Sequence, residues 1–224
     1  MNPLSGVLDE AWRMYRAHAL HLLAIAFVVY LIAAVIVALL ALIGPFGSLL
    51  GEIVELIAVF LLQAALVKAV QDVRDGRVDL SVGETVSAAV PYLFPVAVAA
   101  ILAGIGITIG LLLIIVPGLI LITFWAVIIP VIVIEGSRPL ASFGRSQRLV
   151  RGHGWHVFGT LVLVFVIMIV VNIVLAFVFA LLPLLWRNGL SAVISGTLIA
   201  PYLALVVTLI YYRLSGAEGG SPVA

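Results

Sequence analysis

Cysteine is missing from all 224 residues, which excludes disulfides, thiolate metal sites and cysteine nucleophiles. Charge is scarce: only 9% of residues are Asp, Glu, Lys or Arg, where soluble domains carry about a quarter. The formal net charge of +1 gives no footprint for nucleic acid, so no nucleic-acid partner is expected. Apolar sequence fills the space instead, at 65% of the chain and a mean hydropathy of +1.38. A soluble fold of this length has no interior large enough for it, so lipid must take most of it. The first apolar run, 19–43, is too long for the hydrophobic region of a signal peptide and lacks a small-residue cleavage site.

A spanning helix needs about 20 mostly apolar residues, because the hydrocarbon core is about 30 Å thick. Five stretches qualify at once: 19–43, 49–70, 96–116, 157–182 and 190–212. A sixth, 119–134, is short and carries Pro130, which predicts a kink or a partial dip. Tight hairpins are expected at Gly44 to Ser48, at Pro117-Gly118 and at Trp186 to Gly189. Ten of the eleven basic residues then fall on one side, leaving only Arg187 on the other. Cytoplasmic loops carry such an excess, so both termini are expected in the cytoplasm. Dropping the short sixth stretch would move Arg138, Arg145, Arg148 and Arg151 outside, which argues for six spans.

The expected fold is all-α: a polytopic membrane protein of three parallel repeats, each an interfacial amphipathic helix followed by a membrane hairpin. The units run over about 1–75, 76–135 and 136–214 of one domain, and 215–224 reads as a flexible tail. The first interfacial helix is expected to start at Asn2-Pro3 and to lie in the headgroup plane, with Leu4, Val7, Leu8, Ala11, Trp12 and Tyr15 on one face and Asp9, Glu10, Arg13 and Arg16 elsewhere. The second opens on Ser81-Val82-Gly83-Glu84, a capping-box pattern, and the third carries Pro139 in its first turn. The first and third units share R-x-x-R-small-H-small-x-H at an offset of 135, and all four histidines of the chain lie in these two stretches. The middle unit lacks these charges and has two prolines, Pro91 and Pro95, in their place.

The stretch Ile115-Val116-Pro117-Gly118-Leu119, with Trp125, Pro130, Glu135-Gly136, Arg145-Ser146, Leu149, Arg151-Gly152, Trp155 and Phe158-Gly159, resembles a large group of bacterial membrane proteins. These include the membrane domain attached to some glycerophosphoryl diester phosphodiesterases, and stand-alone six-span relatives. The resemblance implies an architecture and a place in the bacterial cytoplasmic (inner) membrane. It implies no catalysis, because those phosphodiesterases keep their active site in a soluble barrel that no segment here can form.

Two constellations could carry chemistry. His18 and His21, like His153 and His156, are three apart and could share a helix face as metal ligands do. No carboxylate accompanies either pair, so the favoured reading is an elbow where Arg13, Arg16, Arg145, Arg148, Arg151 and these histidines meet lipid phosphates. No metal and no cofactor is expected. Glu52 and Glu55 lie three apart inside the second span, where ionisable groups suggest an ion or substrate path. Carboxylates in a helix's first turns also complement its dipole. Gln63 and Asn172 would extend these acids into a sparse polar track, although a lone amide is more often helix–helix glue. Gly104, Gly106 and Gly110 are expected to permit close helix packing. With no catalytic motif present, the expected function is a non-enzymatic membrane protein binding anionic lipid or a partner membrane protein. The alternative is a small transporter using Glu52 and Glu55.

Overall fold

A chain in lipid must satisfy its own backbone hydrogen bonds, so uncharged apolar stretches of this length fold as helices. The computed structural model describes residues 4–74, 78–180 and 184–219, and within the last stretch the side chains of 193–217. The described elements are α1 (Val7–Ala17), α2 (Ala19–Ala41), α3 (Pro45–Val73), α4 (Val82–Ala89), α5 (Leu93–Leu113), α6 (Ile115–Phe124), α7 (Ile128–Glu135), α8 (Pro139–Val150), α9 (Gly154–Phe179) and α10 (Leu184–Gly219). A 3₁₀ turn over Val90–Tyr92 joins α4 to α5. Six segments are long and apolar enough to cross a membrane: 19–41, 45–73, 82–113, 115–135, 154–179 and 193–217. The chain is an all-α, multi-pass membrane protein.

Local chemistry explains most of the boundaries. Ser81 Oγ accepts the Glu84 amide at 3.3 Å while the Glu84 carboxylate accepts the Ser81 amide at 2.8 Å, a complete capping box. Pro139 opens α8, where its missing N–H has no helical partner to lose. Asn2-Pro3 lies outside the described residues, and α1 begins at Val7 behind Gly6, whose φ is 77°. Gly47 faces the preceding helix so closely that a Cβ there would stand 1.9 Å from the Leu40 carbonyl oxygen.

Two expected turns are displaced. Pro117-Gly118 does not make the second hairpin; Ile114, extended at φ −156° and ψ 136°, does, and Pro117 sits in the first turn of α6. Gly118 then crosses Gly110 at backbone contact, with its notional Cβ 2.4 Å from Leu111 and that of Gly110 3.0 Å from the Gly118 Cα. Residues 186–189 likewise lie inside α10, which starts at Leu184 and continues through Gly219, taking in part of the expected tail.

The fourth span is a broken helix. Pro130 cannot donate to the carbonyl four residues back, and its ring clashes there, so α6 ends at Phe124 and α7 restarts at Ile128. The Ile128 amide turns to the Trp125 carbonyl at 3.3 Å, which frees the Phe124 carbonyl. The buried Ser146 of α8 donates its hydroxyl to that oxygen at 2.7 Å. Trp125 packs edge-on against Phe143 of α8, centroids 4.9 Å apart, in room left by Gly106. Gly106 and Gly110 thus permit close approach, while Gly104 faces open space.

The core occupies the half of the bundle nearest the termini. Leu62 to Val70 of α3, Val131 to Val133 of α7 and Leu205 to Ile210 of α10 supply much of its buried apolar surface. The described residues toward the opposite end, including Leu49, Ile53, Leu112 and Ile115, are exposed and face the surroundings of the bundle. α9 stands at the periphery, burying only Val157, Val164 and Phe179.

Candidate functional site

Each arginine–histidine stretch is a bend between a short helix and a span. His18 has φ −118° and ψ 24°, and His153 has φ −118° and ψ 10°; each precedes the first residue of its span. The His18 amide donates to the Met14 carbonyl at 3.0 Å and the His153 amide to the Val150 carbonyl at 2.9 Å. Neither imidazole caps the helix that follows it. Burial coincides at the same offset of 135: Val7 with Ser142, Ala11 with Ser146, Leu22 with Val157 and Val29 with Val164 are all buried. In the middle unit α4 runs into α5 without this bend.

The apolar faces of α1 and α8 are turned in part to protein. Val7 and Ala11 are buried against the bundle, and so are Ser142, Ser146, Leu149 and Val150. α10 runs along α1, where Arg213 pairs with Glu10 and reaches the Ser5 carbonyl at 3.4 Å. The elbow residues therefore divide. Arg13, Arg16, Arg148, Arg151 and His156 are exposed, while His18, His21 and His153 are half-buried. The Nε2 of His21 and the Nδ1 of His153 are buried without a partner among the described residues.

Arg145 belongs to a different arrangement. Its Nε donates to both Glu135 carboxylate oxygens at 3.1 and 3.2 Å, and Tyr211 donates its hydroxyl to Glu135 Oε1 at 2.9 Å. One carboxylate thus joins α7, α8 and α10, and Arg145 is engaged in holding the fold together. Other cations of this end rest on aromatic faces: Lys68 lies 4.8 Å from the Tyr92 ring centre and Arg74 3.9 Å from that of Tyr212.

The residues of the expected polar track lie on two helices, Glu52, Glu55 and Gln63 on α3 and Asn172 on α9. Glu52 and Glu55 are exposed on α3, and neither lines a cavity described below. Asn172 is exposed on α9 and donates its amide to the Met168 carbonyl of its own helix at 2.8 Å. Arg187, the cation expected nearest the two glutamates, has a side chain outside the described residues.

Gln63 does face a cavity. A chamber of about 450 Å³ lies between α2, α3, α7, α9 and α10, with walls that are apolar except for Tyr30, Gln63 and Ser195. The Gln63 Oε1 is buried there with no partner among the described residues. A second chamber, of about 570 Å³, lies between α1, α9 and α10 and shares the walls Met168 and Ile199 with the first. Its wall on α1 is Leu8, Asp9, Trp12 and Tyr15, facing Tyr202 on α10. The three rings pack together: Trp12 and Tyr15 stack at 5.8 Å, and Tyr202 meets them edge-on at 6.3 and 6.1 Å. Tyr15 also donates its hydroxyl to the Leu198 carbonyl at 3.0 Å, and burial pushes its pKa up, so it stays a neutral donor. The sequence puts Trp12 and Tyr15 on the apolar face of an interfacial helix, and no local pattern pairs them with Tyr202 nearly two hundred residues on.

No curated protein and no solved structure matches the chain. Residues 78–215 match the family model described as a domain of unknown function, DUF7847. That match takes in more than half of the chain, which therefore belongs to this family.

Proposed function

We propose that the protein is a non-enzymatic lipid-binding module of a bacterial cytoplasmic membrane, built on repeated units, with both termini in the cytoplasm. The observation that carries this reading is the pair of congruent elbows, which hold Arg13 and Arg16, and Arg148 and Arg151, exposed at the head of a span. Because α1 and α8 bury their other faces in protein, these arginines are fixed at one height, where phosphates of anionic lipid lie. The bias of basic residues to this side supports the cytoplasmic orientation. Trp155, 84% exposed in the first turn of α9, suits the interfacial level of the same leaflet.

Quenching of tryptophan fluorescence by brominated lipids tests the reading. Brominated phosphatidylglycerol should quench more strongly than brominated phosphatidylcholine, and Arg148→Ala with Arg151→Ala should remove most of the difference, at roughly 1 kcal/mol per arginine. Equal quenching by the two lipids in the unaltered protein would overturn it.

One observation favours a second reading, a small transporter. Glu52 and Glu55 are exposed within a segment apolar enough to span a membrane, where a carboxylate needs water or a ligand. Ion-coupled flux in proteoliposomes, lost in Glu52→Gln, would support it. A partner membrane protein would find its largest unpartnered surface on α9.

A further inference from the structure

A polar group deep in a membrane needs a partner, and the Gln63 amide oxygen is buried with none among the described residues. Gln63 lines the inner chamber, and so do Ala126 and Pro130 of the broken fourth span. In an unbroken helix the Ala126 carbonyl would accept the amide of residue 130, which is proline and has no N–H. The neighbouring amides do not replace it: Ile128 donates to Trp125 at 3.3 Å and Val131 to Val127 at 3.0 Å. The wall of one chamber therefore carries a side-chain acceptor without a donor and a backbone acceptor that has lost its helical donor.

Depth and charge narrow what could supply the donor. Tyr30, also in the wall, is the middle residue of α2, and Ala126 is one residue past the middle of the fourth span. A Cβ on Gly196 would lie 2.7 Å from the Tyr30 ring, so α10 meets the chamber at the same level. About 15 Å of hydrocarbon, half of the core, separates that level from either face. None of the residues lining the chamber is Asp, Glu, Lys, Arg or His; the polar ones are Tyr30, Gln63 and Ser195. A charged ligand would lose its hydration and meet no counter-charge, so the occupant is neutral. The remaining walls are apolar, and about 450 Å³ lies in the range of a small-molecule site.

We propose that the inner chamber binds one uncharged, largely apolar small molecule that carries a hydroxyl. The hydroxyl donates to the Gln63 amide oxygen, which rotation about the soft, two-fold terminal torsion of the side chain brings to the chamber. The apolar remainder lies against Leu66, Leu203 and Val207, on the side of the termini. An ether or ketone of the same shape would leave the amide oxygen without a donor. Such a molecule dissolves in the bilayer and enters laterally past Met168 of α9, the least buried of the spans. No arginine or histidine of the elbows lines the chamber, so the site goes beyond the lipid-binding reading and does not depend on it.

Thermal unfolding of the full chain in detergent, titrated with para-octylphenol or its methyl ether para-octylanisole, tests the proposal. The phenol should raise the unfolding temperature saturably, with half-saturation about fivefold or more below that of the ether, the scale of one neutral hydrogen bond. Gln63→Leu removes the acceptor at nearly constant volume and should abolish this preference. Without either probe the same variant should unfold at an unchanged or higher temperature, because the amide oxygen it removes has no partner in the fold. Ala204→Phe fills the chamber and should abolish the response to both probes; where it does not fold, Gln63→Leu decides alone. Arg148→Ala with Arg151→Ala should remove the brominated-lipid difference and leave both probe responses intact, so failure of the elbow reading is distinguishable from failure of the chamber. A clear loss of stability in Gln63→Leu would make the amide helix–helix glue. Equal responses to the two probes in the unaltered protein would make the chamber a plain apolar void, and either result would overturn the site.

Discussion

His18 and His153 share a φ of −118°, with ψ of 24° and 10°, and each hands a short helix over to a membrane span. The likeness extends in part to packing, since buried Val7, Ala11, Leu22 and Val29 of α1 and α2 have buried counterparts in α8 and α9 at the same spacing of 135. What differs is what each helix is packed upon. Ala11 sits in α1, which packs mainly on α10, whereas its counterpart Ser146 reaches the broken fourth span with a hydroxyl. The same local bend thus serves two surroundings, and one methyl-to-hydroxymethyl difference fits it to the second.

That hydroxyl gives the first expectation. Removing it in Ser146→Ala takes from the Phe124 carbonyl the donor that a buried hydroxyl supplies, which costs about 1–3 kcal/mol. Ser142 is equally buried but donates to the Pro139 carbonyl of its own helix at 2.6 Å, so Ser142→Ala should cost less. Thermal unfolding in detergent should rank Ser146→Ala clearly below Ser142→Ala; the reverse order would refute the role given to the broken helix.

Glu135 is the next test, because it serves both Arg145 and Tyr211. The Glu135 and Arg145 side chains are each 27% exposed, so solvent screens the pair and its coupling should be only about 1 kcal/mol. A double-mutant cycle of Glu135→Gln and Arg145→Ala measures it, and Tyr211→Phe should lose less in the Glu135→Gln background than alone. Additive losses throughout would mean that the three groups act independently.

Glycine substitutions separate close packing from mere composition. Ala at Gly47 must displace the Leu40 carbonyl, and Ala at Gly118 must displace Leu111 and its backbone nitrogen. Each should cost about 1–3 kcal/mol by overpacking. Gly104→Ala meets nothing within 4 Å and should be neutral or slightly stabilising through helix propensity. Equal effects at all three positions would contradict the crossing of α5 and α6 at Gly110 and Gly118.

These positions also mark how far the sequence could be read. Spans were legible because about 20 uncharged apolar residues leave few alternatives, and the capping box at Ser81 because its signal is local. Pro117-Gly118 misled because proline suits a helix's first turn as well as a hairpin, and Ile114, the actual turn, carries no turn chemistry. The candidate site was half legible. Arg148 and Arg151 stand exposed as a charge pattern suggests, but Arg145 is drawn inward by Glu135, ten residues earlier in the chain. The cavity beside α1 was not legible at all. It depends on α1 lying along α10, as in the bond from Tyr15 to the Leu198 carbonyl, and contacts between distant helices leave no period in a sequence.

Sidedness is tested most directly, because the absence of cysteine means that single introduced thiols are labelled without background. Ser81 and Gln147 are exposed, at the first cap of α4 and near the end of α8, both on the side of the termini. Ser48 is exposed in the first turn of α3, beyond the turn that ends α2, on the opposite side. The six spans make the sides alternate, so Ser81→Cys and Gln147→Cys must behave alike and Ser48→Cys oppositely. The bias of ten basic residues against one sets the sign. In intact cells an impermeant maleimide should therefore label Ser48→Cys alone, and the other two should react only after the membrane is opened. The comparison of Ser81→Cys with Gln147→Cys is the most exacting part, since the broken fourth span lies between them. If the break at 125–127 made that segment dip and return, these two thiols would label from opposite sides, and the six-span topology would fall.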